Sequence, residues 1–236
     1  MSEKDFNIYL NISSEKLSIA AFEEFNSKSF FFKEYTCQTS FKNNNFDFKN
    51  LKKTFEKNIF EVEKLTGSFL NDIFLMLETE NIISINLSLS QSKYGEEILT
   101  KDIQYLIQDA KQQILRSYPN QIIAHILANK YLVDRKEYNF LPTGVNCENF
   151  SIDLEFICFP KLLIKKLEEL FNDQSINISK IISTNYAKKF NDVGISDNIC
   201  ESGVRVVQGI NKQEVVTIPK IIEKKGFFER LFHLFQ

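Results

Sequence analysis

The sequence holds no tryptophan and few glycines (7), prolines (4) and histidines (2). Phenylalanine carries the aromatic load with 23 copies, a bias that reads as drift of coding composition and not as a functional sign. Cysteine is sparse: Cys37, Cys147, Cys158 and Cys200 form no CxxC pair, and only His125 and His233 could assist them, which argues against a zinc site. No run of 18 apolar residues occurs, and no basic-then-apolar leader opens the chain, so a cytoplasmic protein with free thiols is expected. Charge of one sign is lacking too. A net charge of −2 argues against an electrostatic nucleic-acid binder.

What is present is ordinary for a folded protein: 236 residues, 43% apolar and 25% charged, enough for one large domain or two small ones with real cores. Residues 6–12, 16–25 and 28–36 are rich in β-branched and aromatic side chains and read as short strands, with a turn at Ser13-Ser14-Glu15. Leu51, Phe55, Ile59, Val62 and Leu65 recur at helical spacing over 49–66, stopped by Gly67. Residues 71–77 read as a buried strand and 82–90 as a half-buried one. Thr100 reads as the N-cap of a helix over 101–116 with Ile103, Leu106, Ile107, Ala110 and Ile114 on one face. Strand patterns follow at 121–133 and 150–158. A helix over 161–172 is expected to turn Leu162, Leu163, Leu167, Leu170 and Phe171 inward, and a last strand occupies 176–184. Residues 191–225 lose the pattern and read as a linker.

No arrangement of carboxylates suggests acid/base work. His125 lies in an apolar strand and reads as a packed histidine, Asp134-Arg135 as a surface ion pair, and Cys147 and Cys158 as small buried side chains. The Lys-rich stretches 49–53 and 161–166 read as solvated helix faces. One signal is sharp. At helical spacing Phe227, Phe228, Leu231, Phe232, Leu234 and Phe235 fall within an arc of roughly 160°. Glu229, Arg230, His233 and Gln236 fill the remainder, and Lys224 and Lys225 precede it. Such a helix, over 226–236, suits an anionic membrane surface, with Lys224, Lys225 and Arg230 meeting headgroups and the aromatic face inserting.

The order of elements and several local patterns resemble FtsA, the actin-like bacterial division family. Leu10-Asn11-Ile12-Ser13-Ser14-Glu15-Lys16 stands where that family has its first phosphate loop, LDIGTSK. Ile98-Leu99-Thr100-Lys101-Asp102-Ile103, then Ala110, is similar to the start of the helix in its inserted subdomain 1C. His125, Tyr131-Leu132-Val133-Asp134 and Leu141-Pro142-Thr143-Gly144 resemble its H…Y-x-VD…P-x-G stretch, residues 176–187 resemble the strand leading out of 1C, and Phe227–Phe232 match the family's terminal helix in kind. The resemblance implies an α+β fold: an actin-like subdomain 1A from 1–80 with 175–190, a 1C subdomain over 81–174, the linker over 191–225 and the membrane-targeting helix over 226–236. The related pilus protein PilM is a weaker match.

The departures shape the functional expectation. The second actin-like lobe, with its adenosine pocket and second phosphate loop, has no counterpart after residue 190. The retained loop puts Asn11 where the family has its metal-facing Asp, Ser13 where it has a close-approach glycine, and Glu15 where phosphate oxygens would lie. With Ser14 between them, these residues read as an ordinary hairpin turn, and no cofactor is expected. The resemblance therefore implies a non-enzymatic adaptor of the division machinery. It would be cytoplasmic and peripheral on the inner face of the cell membrane, contacting other division proteins and self-associating, with FtsZ binding in doubt. The alternatives are a PilM-like nucleotide-dependent filament protein and a stand-alone interaction module with no division role.

Overall fold

A computed structural model describes residues 6–23, 26, 28–39, 46–191 and 198–215. Three strands open it: β1 (Phe6–Ile12), β2 (Lys16–Glu23) and β3 (Phe31–Thr36). Helix α1 (Phe48–Thr66) and β4 (Asp72–Leu77) follow, then β5 (Ile83–Ser92), α2 (Thr100–Ser117), β6 (Gln121–Val133), β7 (Lys136–Tyr138) and β8 (Asn149–Pro160). Helix α3 (Lys161–Asn172), β9 (Asn177–Ser183), the short α4 (Thr184–Ala187) and α5 (Ile199–Val207) complete it.

The strands form two sheets, one of five strands in the order β3-β2-β1-β4-β9 and one of four in the order β5-β8-β6-β7. The first joins an antiparallel meander to parallel β1, β4 and β9. Its central strands are buried on both faces. Ile8, Leu10, Ile12, Leu17, Ile19, Ile73 and Leu75 point into a core with Leu51 and Phe55 of α1 and Ile164, Leu167 and Phe171 of α3. The alternate residues Tyr9, Ala20, Phe22 and Met76 pack on the opposite face with Tyr186 of α4 and Cys200, Val204 and Val206 of α5. The second sheet packs one face on α2, with Ile103, Leu106, Ala110 and Ile114 against Phe150, Ile152, Leu154 and Phe156.

Helix ends follow their local chemistry. The Asp47 carboxylate accepts the Asn50 N–H at the start of α1, and Gly67 closes it at φ +73°, a conformation only glycine adopts without cost. The start of α2 corrects one expectation: Leu99 is the N-cap and Thr100 the first helical residue, because Asp102 supplies the cap, accepting the Leu99 N–H at 2.8 Å. Asp102 also takes the buried Lys93 ammonium at 2.9 Å, which ties the start of α2 to the exit of β5.

Other expectations also change. Within the stretch 191–225, expected as a linker, residues 198–215 are built into the fold. Asn198 caps α5 by accepting the Cys200 N–H, and the helix buries Cys200, Val204 and Val206. Gly203, a breaker by sequence, is needed there: a Cβ would lie 2.5 Å from Met76 Sδ. After α5 the chain lies along β6, with Ala128 N–H donating to Gln213 O and Val215 N–H to Ile126 O, both at 2.8 Å. Helix α3, expected with the second unit over 81–174, packs on the five-stranded sheet, because its apolar face meets α1 and the two-faced core strands. Leu162, expected inside, is 65% exposed, and Leu65 of α1 is 55% exposed. Asp134 makes no ion pair with Arg135. Its carboxylate accepts the N–H groups of Glu148 and Asn149, and Asp134 and Arg135 adopt positive φ in the tight β6–β7 turn. The terminal helix expected over 226–236 lies outside the described residues, as do Lys224 and Lys225.

Candidate functional site

Parallel β1, β4 and β9 end together, with Ile12 beside Leu77 and Leu77 beside Ser183. Their carboxyl ends open onto a cavity of about 360 Å³, where ligands of α/β sheets commonly bind. Asn11, Ser13 and Lys16, Glu34 of β3, Glu78, Thr184 and Lys188 line it, whereas Ser14 and Glu15 of the β1–β2 turn do not.

That turn is closed on both sides. Ser13 N–H donates to Lys16 O at 3.0 Å, and Lys16 N–H donates to the Ser13 hydroxyl at 3.1 Å. Residues 37–39 strap it from outside: Cys37 N–H reaches Glu15 O at 2.8 Å, Thr39 N–H reaches Ser14 O at 3.0 Å, and the Thr39 hydroxyl reaches Ser13 O at 2.6 Å. Asn11 is buried and accepts the Thr184 hydroxyl at 2.7 Å. The cations lining the cleft are engaged as well. Lys16 pairs with Glu34 at 2.9 Å, and that hydrogen bond raises the Lys16 pKa above its ordinary value. Lys188 pairs with Glu78.

A magnesium–nucleotide complex needs free backbone N–H groups, unpaired positive charge and a carboxylate for the metal. Here the turn's N–H groups at Ser13 and Lys16 are spent, the lysines are neutralised, and a carboxamide stands at the metal-facing position. The residues present do not fit that group. Among the described residues no cluster of His, Cys, Asp and Glu could hold a metal ion.

A second polar cluster is buried where the two sheets meet. His125, 1% exposed, accepts the Ser183 N–H at Nε2 (2.9 Å), which leaves Nδ1 to donate to Glu214 Oε1 at 2.9 Å. The other Glu214 oxygen takes the Tyr186 hydroxyl at 2.9 Å, Asn211 Nδ2 donates to that hydroxyl oxygen, and Lys180 Nζ lies 3.7 Å from Glu214. Burial lowers the His125 pKa, opposed by Glu214, and its ring is neutral. Protonating Nε2 would set a second donor against the Ser183 amide. The Ser183 hydroxyl is occupied by the Tyr186 N–H, so serine, histidine and glutamate form no nucleophilic triad. This is the packed histidine the sequence suggested, now part of a strut between both sheets and the segment after α5.

Thr184, Glu34, Glu78 and Lys188 were not legible as cleft residues, and Glu214 lay within the expected linker. One signal existed: Ser183-Thr184-Asn185 directly after an apolar strand marks a helix start, and Ser183 is the N-cap of α4. A separate apolar groove of about 550 Å³ lies between the units, lined by Phe46, Phe48, Ile83, Pro160, Leu162 and Leu163. No described helix is long and apolar enough to cross a membrane.

Comparison with solved structures places this fold. The chain is similar to a chain of the PilM-PilN type IV pilus biogenesis complex, with a TM-score of 0.53, 7% identity, and coverage of 78% of this chain and 49% of that one. The cytoplasmic domain of EpsL, an inner membrane component of the type II secretion system of Vibrio cholerae, aligns at a TM-score of 0.37 and 9% identity, covering 78% and 57%. A Bacteroides thetaiotaomicron protein with an actin-like ATPase fold and unknown function aligns at 0.35 and 14%, covering 80% and 56%. No protein-family model and no curated protein matches the chain. The described residues thus form a partial actin-like fold, and the chain spans about half the length of the matched chain of that complex.

Proposed function

We propose that this chain is a non-enzymatic adaptor at the inner face of a bacterial membrane, built on part of an actin-like fold and acting in the cell-division machinery through protein–protein contacts. The observation that carries the non-enzymatic part is the closed β1–β2 turn, with the Ser13 and Lys16 N–H groups spent, Asn11 held by Thr184, and each cleft lysine paired to a carboxylate. Association with a membrane rests on the aromatic arc of residues 227–235 beside Lys224, Lys225 and Arg230. A division role rests on the FtsA-like motifs of the sequence. The fold likeness to a chain of the PilM-PilN complex favours a second setting, a pilus-type assembly, for the same adaptor role. Calorimetric titration of the full chain with Mg-ATP tests the central claim. No saturable heat is expected, and a micromolar dissociation constant overturns it.

A further inference from the structure

The two sheets have four edge strands, β3 and β9 in one, β5 and β7 in the other. An open edge presents unpaired N–H and C=O groups, and folded proteins blunt such edges with charge, proline, bulges or shortness. Three of the four carry charge: Lys33 and Glu34 on β3, Lys180 on β9, Lys136 and Glu137 on the short β7. The fourth, β5, is 10 residues long, Ile-Ser-Ile-Asn-Leu-Ser-Leu-Ser-Gln-Ser, with neither charge nor proline. It pairs with β8 from Ile83↔Cys158 to Ser92↔Asn149 without a register shift, so no bulge bends it away. Among the described residues no other backbone segment hydrogen-bonds to it. Ile83, Ile85, Leu87 and Leu89 face α2 yet remain only half-buried, while Ser84, Asn86, Ser88 and Ser90 are exposed on the other face.

From this we infer that the β5 edge is an interface, and that its occupant is β5 of a second copy of this chain, paired antiparallel about a two-fold axis near Leu87 and Ser88. The strand fits itself. Directly opposed residues of an antiparallel pair lie on one face. A two-fold register that opposes even positions therefore sets Ser and Asn against Ser and Asn. The same register sets Ile and Leu against Ile and Leu, covering the half-buried apolar row in both copies. A two-fold contact brings each side chain near its own kind, so charge on this strand would repel; there is none. The two four-stranded sheets would run on as one. The inference stands whether or not the chain is the adaptor proposed above.

Sedimentation of the full chain over a concentration series tests it. A monomer–dimer equilibrium is expected. Asn86→Lys with Ser88→Lys, both on the exposed face, should weaken the dimer by at least about tenfold while leaving the melting temperature unchanged. That pair of variants separates pairing through β5 from association through residues 226–236. Ser88→Cys supplies a second readout: across a two-fold pair the introduced thiols come within reach of a disulfide. The native cysteines are buried. Mild oxidation should therefore yield a covalent dimer from Ser88→Cys and none from Lys57→Cys on α1. A wild type that stays monomeric, a dimer that survives the double lysine variant, or a Ser88→Cys protein that fails to cross-link overturns the proposal.

Discussion

Three groups from separate parts of the chain, the His125 ring, the Glu214 carboxylate and the Ser183 amide, meet out of water. Protonation of His125 and Glu214 therefore contributes to the pH dependence of stability. Burial holds His125 below its ordinary value of 6.5, so its contribution is full above about that pH and is lost as the pH falls through the depressed value. Glu214 is also lowered: burial, the largest single effect, pushes its pKa up, but His125, the Lys180 charge and the Tyr186 hydrogen bond together outweigh it, and its contribution fades with acid below about 4.5. Both act in one direction. The melting temperature should be flat above about pH 7 and fall on acidification, less steeply in Glu214→Gln, which removes the charge and keeps one acceptor oxygen. His125→Ala breaks the buried pair and should cost about 3–5 kcal/mol by denaturant titration. Sequence gave His125 as a packed residue but could not give its partner, which is 89 positions away. The cleft was half visible for the same reason. Substitutions within 10–16 could be read locally, whereas Thr184 meets Asn11 across 173 positions.

Elements with strong periodicity and their own caps, α1 and α2, were readable to within a residue or two. Leu106 is 3% exposed, and Leu106→Ala should cost about 2–5 kcal/mol, whereas Leu162→Ala, on an exposed side chain, should stay within about 0.5 kcal/mol in the same unfolding experiment. The misplacement of Leu162 shows why periodicity runs out: in Leu162-Leu163-Ile164 consecutive apolar residues share no unique face, and only the position of α1 decides which one is covered. Helix α5 was hidden because 9 residues with a central glycine are no helix in isolation. It is held by the sheet it crosses. Gly203→Ala places a methyl against Met76 and Tyr9 and should destabilise by about 1–3 kcal/mol. In a double-mutant cycle with Met76→Ala the combined loss should be smaller than the sum, since the shortened side chain vacates the space; simple additivity would show that the contact is not the cause.

At the scale of the whole molecule, the described residues form a partial actin-like fold whose cleft-lining polar groups bond to one another. If residues 226–236 attach this fold to a bilayer, the full chain should float with anionic vesicles, and added salt should weaken binding only in part, because screening touches Lys224, Lys225 and Arg230 but not the aromatic insertion. Phe228→Glu with Phe232→Glu should abolish flotation at any salt and leave the melting temperature alone. A wild type that ignores vesicles, or a mutant that melts several degrees lower, assigns those residues to the fold instead.

The cysteines have a consequence of another kind. Cys37 lies in the core under α1 and α3, Cys147 and Cys158 in the core of the second sheet, and Cys200 on the buried face of α5. Burial pushes each thiol above its ordinary value, Cys158 to about 11. Only a thiolate reached by solvent alkylates. Each core therefore carries a built-in clock that runs only while that core is open, and the native chain, unaltered, can report by the rate of thiol labelling which of its layers comes apart first.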